Sequence, residues 1–577
     1  MVAVRRTERV VANGRRDSEE IGLVMSAGSM QNGPQGFEPA APQFVHEVIS
    51  NVGGEQQVPA DVNSTLEDRK ASGRPGASLI DAILQSTVSP GSTADTANVS
   101  EFLAEPNLER ALRIWAEGSL SPGEQPTRQA VLRRLTRDLS QVDQLLQRQV
   151  NAILHHPRFQ QLEASWRGLW MLTGQVEEAK ELAESEGTRP QFEVRVLDIS
   201  KRALARDFAS AVEFDQSQIF KKVYEQGFGM AGGDPFGVLI GDYQFSNHPE
   251  DLDILSGMSG VAAAAFSPFI AAASPELLGL ESFSSLEQPI RLTESYNQVE
   301  YIKWNAFRDS DDSRFVGLTL PRVLMRVPYN DDGSRSDGFR FREEVEALDR
   351  SQYLWGNAAY SLGSVVIRAF GASRWFADIR GLERGVVGGG LVTELPVHSF
   401  STDHFGAVTK SSTEIALNDF QEKELSTLGF IPLCHCNDTE YSVFYTNSSV
   451  QKPKKFSEVE ATTNAKISSM LQYILCASRF SHYLKVLARN KIGSQQSEAE
   501  LERYLKSWIG TYVTADSKAP ASVKAKFPLR EAKIEVREIP GKPGSYRLVM
   551  HLLPHFQLDG LSASLRMTMK VSTVGGT

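Results

Sequence analysis

From Thr127 to His155 apolar residues recur at steps of three and four: Leu132, Leu135, Leu139, Val142, Leu146, Val150 and Ile153. That period predicts one long amphipathic helix. Pro157 closes it, and Phe159, Leu162, Trp166 and Leu169 carry the same period into a second helix. Stripes of this kind serve a core or a subunit interface. Upstream, the run from Ser78 to Gln85 predicts a short helix, with Ser78 as cap and Leu79, Ile80, Ile83 and Leu84 on one face. So short a helix is marginal alone in water, and polar runs flank it. It either folds back on its own domain or docks on another protein. Residues 1–75 are rich in Gly, Pro, Ser, Asn, Gln and charge and show no sustained period. Disorder is expected there.

Beyond residue 190 the period shortens. Phe192 to Leu197 alternates like a strand, and Phe236 to Asp242 is a continuous apolar run ending in Gly-Asp, as a buried strand does. An Ala-rich helix from Leu255 to Ala265 leads to a further buried strand at Pro268 to Ala272. This β–α–β order predicts an α/β domain with a partly parallel sheet. Two helices follow: about Ala461 to Asn490, then one opening at Ser497, where Glu500 completes a capping box. The chain closes in β structure. Ala532, Ile534 and Val536 pair across a Pro-Gly turn with Tyr546, Leu548, Met550 and Leu552. Last, Leu561, Ala563, Leu565, Met567, Met569 and Val571 alternate with polar residues. A terminal strand this long suits pairing outside its own domain.

Composition narrows the function. The 577 residues include 61 Lys and Arg against 71 Asp and Glu, a net charge of −10. That argues against a generic nucleic-acid coat, which needs a basic face to displace counterions. The longest apolar stretch, Val261 to Ala273, is broken by Ser267 and Pro268 and is too short for a membrane span. The three cysteines, Cys434, Cys436 and Cys476, indicate no disulfide framework and suit a reducing compartment. No phosphate loop, H-E-x-x-H or G-x-S-x-G is present, and Gly385 to Gly390 lacks the order of a dinucleotide fingerprint. Cys434-His435-Cys436 has ligand chemistry but no second Cys pair nearby, so small buried side chains explain it equally well. His155-His156 suits capping of a helix end. Lys452-Pro453-Lys454-Lys455 reads as a solvated turn or a contact for an acidic partner. Asp309, Asp311 and Asp312 read as a polar loop rather than a calcium loop. No catalytic residue, metal or cofactor is expected.

Several long stretches are specific enough to carry a resemblance. They are Asn151 to Pro157 (NAILHHP), Val238 to Tyr243 (VLIGDY), Tyr301 to Trp304 (YIKW), Gly317 to Arg326 (GLTLPRVLMR) and Tyr353 to Tyr360 (YLWGNAAY). Gly429 to Cys436 (GFIPLCHC), Gln451 to Phe456 (QKPKKF) and Pro554 to Asp559 (PHFQLD) complete them. In this order the chain resembles the large subunit of the type VI secretion contractile sheath, the TssC/VipB family, over roughly residues 78–571. The resemblance implies a phage-tail-sheath-like core with N-terminal helices and a C-terminal β region. It also implies a structural, non-enzymatic role. Such proteins pair with a small sheath subunit (TssB/VipA-like) and polymerise with further copies as a helical sheath. The sheath surrounds an Hcp-like inner tube, stands on a baseplate and contracts to propel tube and spike. A ClpV-like AAA+ ATPase then recycles it. The implied location is the bacterial cytoplasm, with the sheath docked at the inner face of the envelope.

Four regions are expected on this basis: an extension over 1–75, a helical region over 76–175 for small-subunit and ATPase contacts, a sheath core over 190–400, and a C-terminal region over 401–577 with inter-subunit strands. Leu79, Ile80, Ile83 and Leu84 would meet the ATPase. Leu132, Leu135, Leu139, Val142 and Leu146 would meet the small subunit, and Leu561 to Val571 would join neighbouring units. The long polar start and an acidic insertion at Glu177 to Gly187 depart from the family pattern. The sheath of an extracellular phage-tail-like particle is the alternative in the same class. An α/β enzyme with an unrecognised site is the alternative outside it.

Overall fold

In chain order the principal elements are β1 (Val2–Arg5), α1 (Leu108–Ser119), α2 (Arg128–Leu154), α3 (Pro157–Ser185), β2 (Glu193–Val196), α4 (Lys201–Ser210), β3 (Phe236–Phe245), α5 (Pro249–Ala265), β4 (Phe269–Ala273), α6 (Ile302–Asp309), β5 (Val316–Leu320), α7 (Ala358–Ser373), α8 (Asp419–Thr427), β6 (Phe430–Pro432), α9 (Val459–Ser468), α10 (Leu471–Lys491), α11 (Glu498–Gly510), β7 (Leu529–Glu538), β8 (Tyr546–Pro554) and β9 (Leu565–Val571). The computed structural model describes residues 2–5, 101, 103–119, 127–185, 193–230, 233–288, 290–331, 333, 339–345, 350–382, 386–398, 411–436, 439–491, 498–516, 518–540, 546–555 and 565–571. All of them fall in one unit. Leu79, Ile80, Ile83, Leu84, Ser497, Leu561 and Ala563 lie outside the described residues.

The central sheet has the order β2-β1-β3-β4-β5-β6. From β3 to β6 the strands are parallel, while β1 runs antiparallel to both its neighbours. Parallel strands need cover on both faces, which explains their unbroken apolar runs. Leu239, Phe269, Ala271, Leu318 and Phe430 pack into one core with α5. Val238, Ile240, Ile270 and Ile431 pack into a second core with α7 and α3. The α/β class with a partly parallel sheet is therefore observed. The sheet takes its sixth strand from Phe430–Pro432, beyond residue 400.

Local chemistry sets the helix ends. His248 Nδ1 accepts from the Glu250 amide at 3.4 Å and Pro249 opens α5, which stops at Phe266 in the left-handed region (φ 52°). Asn357 caps α7 by accepting from the Ala359 amide at 2.8 Å, and donates to the carbonyls of Gly241 and Tyr243 at the end of β3. Helices α3 and α7 approach closely because small residues meet there. A Cβ on Gly168 would stand 2.4 Å from the Tyr360 ring, and one on Gly371 would stand 2.7 Å from the Ala179 Cβ.

Three expectations change. Residues 2–5 fall in the stretch expected to be disordered, yet they form β1; pairing with β2 and β3 supplies what their short alternation lacks. The apolar period carries the second helix only to Leu169, but the helix runs on through the acidic segment at Glu177. This segment continues α3 to Ser185, because Ala179 and Ala183 are buried. The single helix expected over 461–490 is two, α9 and α10, with the break where Met470 bridges Ser448.

The C-terminal sheet is an antiparallel meander, β7-β8-β9. Ile534, Val536, Leu548, Met550 and Leu552 pack against Leu501, Leu505 and Ile509 of α11 and Phe480 and Leu484 of α10. The Trp375 ring stacks on Phe480 at 4.2 Å and seals this core.

Buried in α10, His482 offers a test of folding linkage. Its Nε2 lies 2.8 Å from the Ala265 carbonyl, the geometry of a donating neutral imidazole. Burial pushes its pKa down to about 3; the hydrogen bond to Ala265 opposes this, while Arg479 and Lys485 add to it. An unfolded chain protonates this His near pH 6.5, whereas the folded chain resists until about 3. Stability is therefore lost as pH falls from 6.5 towards 3. Urea midpoints measured from pH 7 to 4 should fall less steeply in His482→Gln than in the wild type. Equal slopes would contradict this assignment.

Candidate assembly surfaces

The 27-residue α2 has no apolar cover along most of its length among the described residues. Leu132, Leu139, Val142, Leu145 and Leu146 are each at least 43% exposed, and Leu135 is half-buried. Among the described residues the stripe is exposed and not part of a core. Only at its N-terminal half does α1 approach, with Trp115 Nε1 donating to Asp138 at 3.1 Å.

The other end of α2 is firmly held. Asn151 Oδ1 accepts from the Glu344 amide at 3.2 Å, Gln147 donates to the Glu344 carboxylate at 2.7 Å, and His155 Nε2 lies 3.3 Å from Glu343. His156 Nδ1 accepts from the Arg158 amide at the start of α3. The two histidines thus divide the work: one reaches the body of the protein, and the other caps the next helix rather than the preceding one. Glu343 and Arg326 form a buried pair, 2% and 5% exposed, with Arg326 Nε also 2.8 Å from Glu163 of α3. Hydrogen bonds to these carboxylates raise the Arg326 pKa against the opposing effect of burial. Breaking one partner of such a pair leaves a buried charge uncompensated. The α2–α3 junction is therefore pinned, while the apolar row of α2 is exposed. Sequence reasoning missed this network; the signal was Arg326, charged yet closing the apolar run GLTLPRVLMR.

The remaining candidates resolve into structure. Arg322 makes two 2.7 Å bonds to Glu414. Lys454 of the basic turn lies 3.4 Å from Asp311, so two charged segments of this chain meet each other. Cys434 sits in a short strand opposite Val443, and burial pushes its thiol up to about 12. Burial also lowers the His435 pKa. Among the described residues, no three His, Cys, Asp or Glu side chains gather as a metal site, and no helix is long and apolar enough to cross a membrane.

At the C-terminus, Leu565, Met567 and Met569 stand opposite Leu552, Met550 and Leu548. The last strand thus completes a sheet of its own chain and forms one edge of it. Residues 555–564 connect β8 to β9, a far longer link than the usual hairpin loop of about two to five residues.

A mixed sheet flanked by helices, an anchored helix with an exposed apolar row and a β-meander at the end define an assembly protein more readily than an enzyme. Residues 136–451 match the family model described as EvpB/VC_A0108, tail sheath N-terminal domain, and residues 460–571 match its gpW/gp25-like domain. The chain belongs to this tail sheath family, as a large subunit of the type VI secretion sheath. It is 40% identical over 467 residues to a protein of Pseudomonas aeruginosa named type VI secretion system sheath protein TssC1, covering 80% of this chain and 91% of that one.

Proposed function

We propose that this sheath subunit pairs with a small sheath subunit through Leu132, Leu135, Leu139, Val142 and Leu146, and that the pairs polymerise around an inner tube and contract to drive it outward. The exposed apolar row on an otherwise anchored α2 carries this reading. A helix held at one end by buried polar contacts presents a rigid surface, which lowers the cost of association. Heterologous contacts that do not close on themselves build helical filaments. The strand expected over Leu561 to Val571, of which β9 is Leu565–Val571, is the linking element: it is handed to a neighbour's sheet while its own sheet receives another. Contraction then repacks interfaces without breaking the linkage. Leu79, Ile80, Ile83 and Leu84 form the helix-in-groove ligand by which an AAA+ ATPase takes the contracted sheath apart, and the baseplate fixes the other end of the assembly. No catalytic step by this chain is required.

Electron microscopy of the full chain co-expressed with the small subunit tests the proposal. Hollow tubules should form only when both are present. A soluble heterodimer that stays unpolymerised at every concentration would overturn it.

A further inference from the structure

The central sheet runs β2-β1-β3, so β2 and β3 are not neighbours. Paired strands lie about 4.8 Å apart, and the gap between β2 and β3 is therefore one strand wide. Both walls of this slot fall within residues 136–451, the region matched by the tail sheath N-terminal domain. Its occupant, Val2–Arg5, falls outside both matched regions. Among the described residues, β1 is also the one strand that pairs with β2. The family region thus carries a strand-acceptor slot, and a segment from outside that region fills it.

The fit is partial. Strand β3 is ten residues long, and β1 pairs only within Phe236 to Ile240, with a register shift between Val4 and Arg5. On that side Gly241 to Phe245 meets no described strand. The Leu239 amide donates to the Pro268 carbonyl at 2.8 Å. Leu239 therefore turns its backbone towards β4, while Val238 and Ile240 turn theirs into the slot. Residues 6–100 separate β1 from the next described residue, Glu101, and closing so long a link costs chain entropy. The slot also has a chemistry. Leu239 points into one core, Val238 and Ile240 into the other, and Val194 of β2 packs on the second. A strand between β2 and β3 is covered on both faces, so apolar residues suit both of its sides. A short strand in partial register on a long tether has the properties of an exchangeable occupant.

We propose that Val2–Arg5 is an autoinhibitory strand. It closes the slot in the unassembled subunit, and it leaves when the small subunit supplies a longer strand, apolar on both faces, that runs the length of β3. The inference rests on the pairing proposed above and adds an order of events to it. With β1 in place, the facing edges of β2 and β3 are paired and recruit no stray strand. The incoming strand gains ladder bonds along Gly241 to Phe245 that β1 does not make. Main-chain bonds of this kind carry the affinity of strand addition, and the difference between the two occupants drives the exchange.

Two full-length variants test this with opposite signs. Ala3→Pro removes a ladder donor inside the sheet, so β1 leaves more readily and the complex with the small subunit should form at least about threefold faster. A strand that belongs permanently to the fold would give the reverse, slower or lost pairing, and would overturn the inference. Ala3→Cys with Leu239→Cys places thiols opposite each other at a non-hydrogen-bonded pair, where Cα atoms lie about 4.5 Å apart and a disulfide can close. Oxidised, this chain should co-purify with the small subunit at less than about a tenth of the wild-type yield. Reduction of the same sample should restore the yield, which also shows the variant to be folded. Wild-type yield from the oxidised chain would overturn the inference. So would a disulfide between copies, which makes β1 a swapped strand, or the absence of any disulfide; in each case the pairing itself would stand. Should the substitution at Leu239 unfold the chain, Ala3→Pro decides alone. Failure of the wild-type chain to co-purify with the small subunit would remove the pairing and this inference with it.

Discussion

Leu139→Asp combined with Leu146→Asp is expected to abolish co-purification with the small subunit while leaving the chain folded. Both side chains are largely exposed, so a carboxylate at either place meets water in the isolated chain. Surface changes of this kind usually alter stability by less than about 0.5 kcal/mol. In a complex, the same carboxylates would be buried against apolar groups without partners. Each then costs at least about 2 kcal/mol, in the range of an interface hot spot, and together they weaken association about a thousandfold if independent. Circular dichroism and thermal unfolding check the fold, and a tagged small subunit checks the pairing. Retention of the complex at wild-type yield would assign this face to another neighbour.

Met567→Pro is expected to eliminate tubules and spare the heterodimer. Met567 lies mid-strand, opposite Met550, and proline removes a ladder donor where strands tolerate it least. The net loss per backbone bond is about 1 kcal/mol, but a polymer repeats it at every subunit. Met567→Val should assemble normally. The paired substitutions Val549→Cys and Thr568→Cys, opposite each other in the register, report which chain supplies the strand. Disulfides between chains in assembled tubules indicate donation. Disulfides confined to single chains, together with Met567→Pro tubules of normal length, indicate a strand that stays at home.

Much of this was legible in the sequence because it is local. The step of three and four gave α2 and the first turns of α3, and the unbroken apolar runs gave β3 and β4. What escaped depends on distant partners. Val2–Arg5 becomes a strand only between segments about 190 and 235 residues away, and no four-residue pattern encodes that. The helix break before Leu471 reflects a bridge from Ser448, whereas the sequence from Ala461 on keeps its apolar period. The acidic stretch after Glu177 concealed a helix because the small residues that anchor it, Ala179 and Ala183, carry little hydrophobic signal. The candidate surfaces divide the same way. The row on α2 was visible as a period, but whether it faced a core or solvent needed the third dimension.

The link over residues 555–564 is also a ruler. Fully extended, the chain from Pro554 to Leu565 reaches roughly 35–40 Å. Wherever β9 is lent to another subunit, the two sheets must stay within that distance in every arrangement the assembly adopts. Under the proposed donation, such a leash would let adjoining units slide and rotate and would set an upper bound on each step. Shortening it by even a few residues should halt the stroke before its end, and inserting residues should slacken the coupling without preventing assembly.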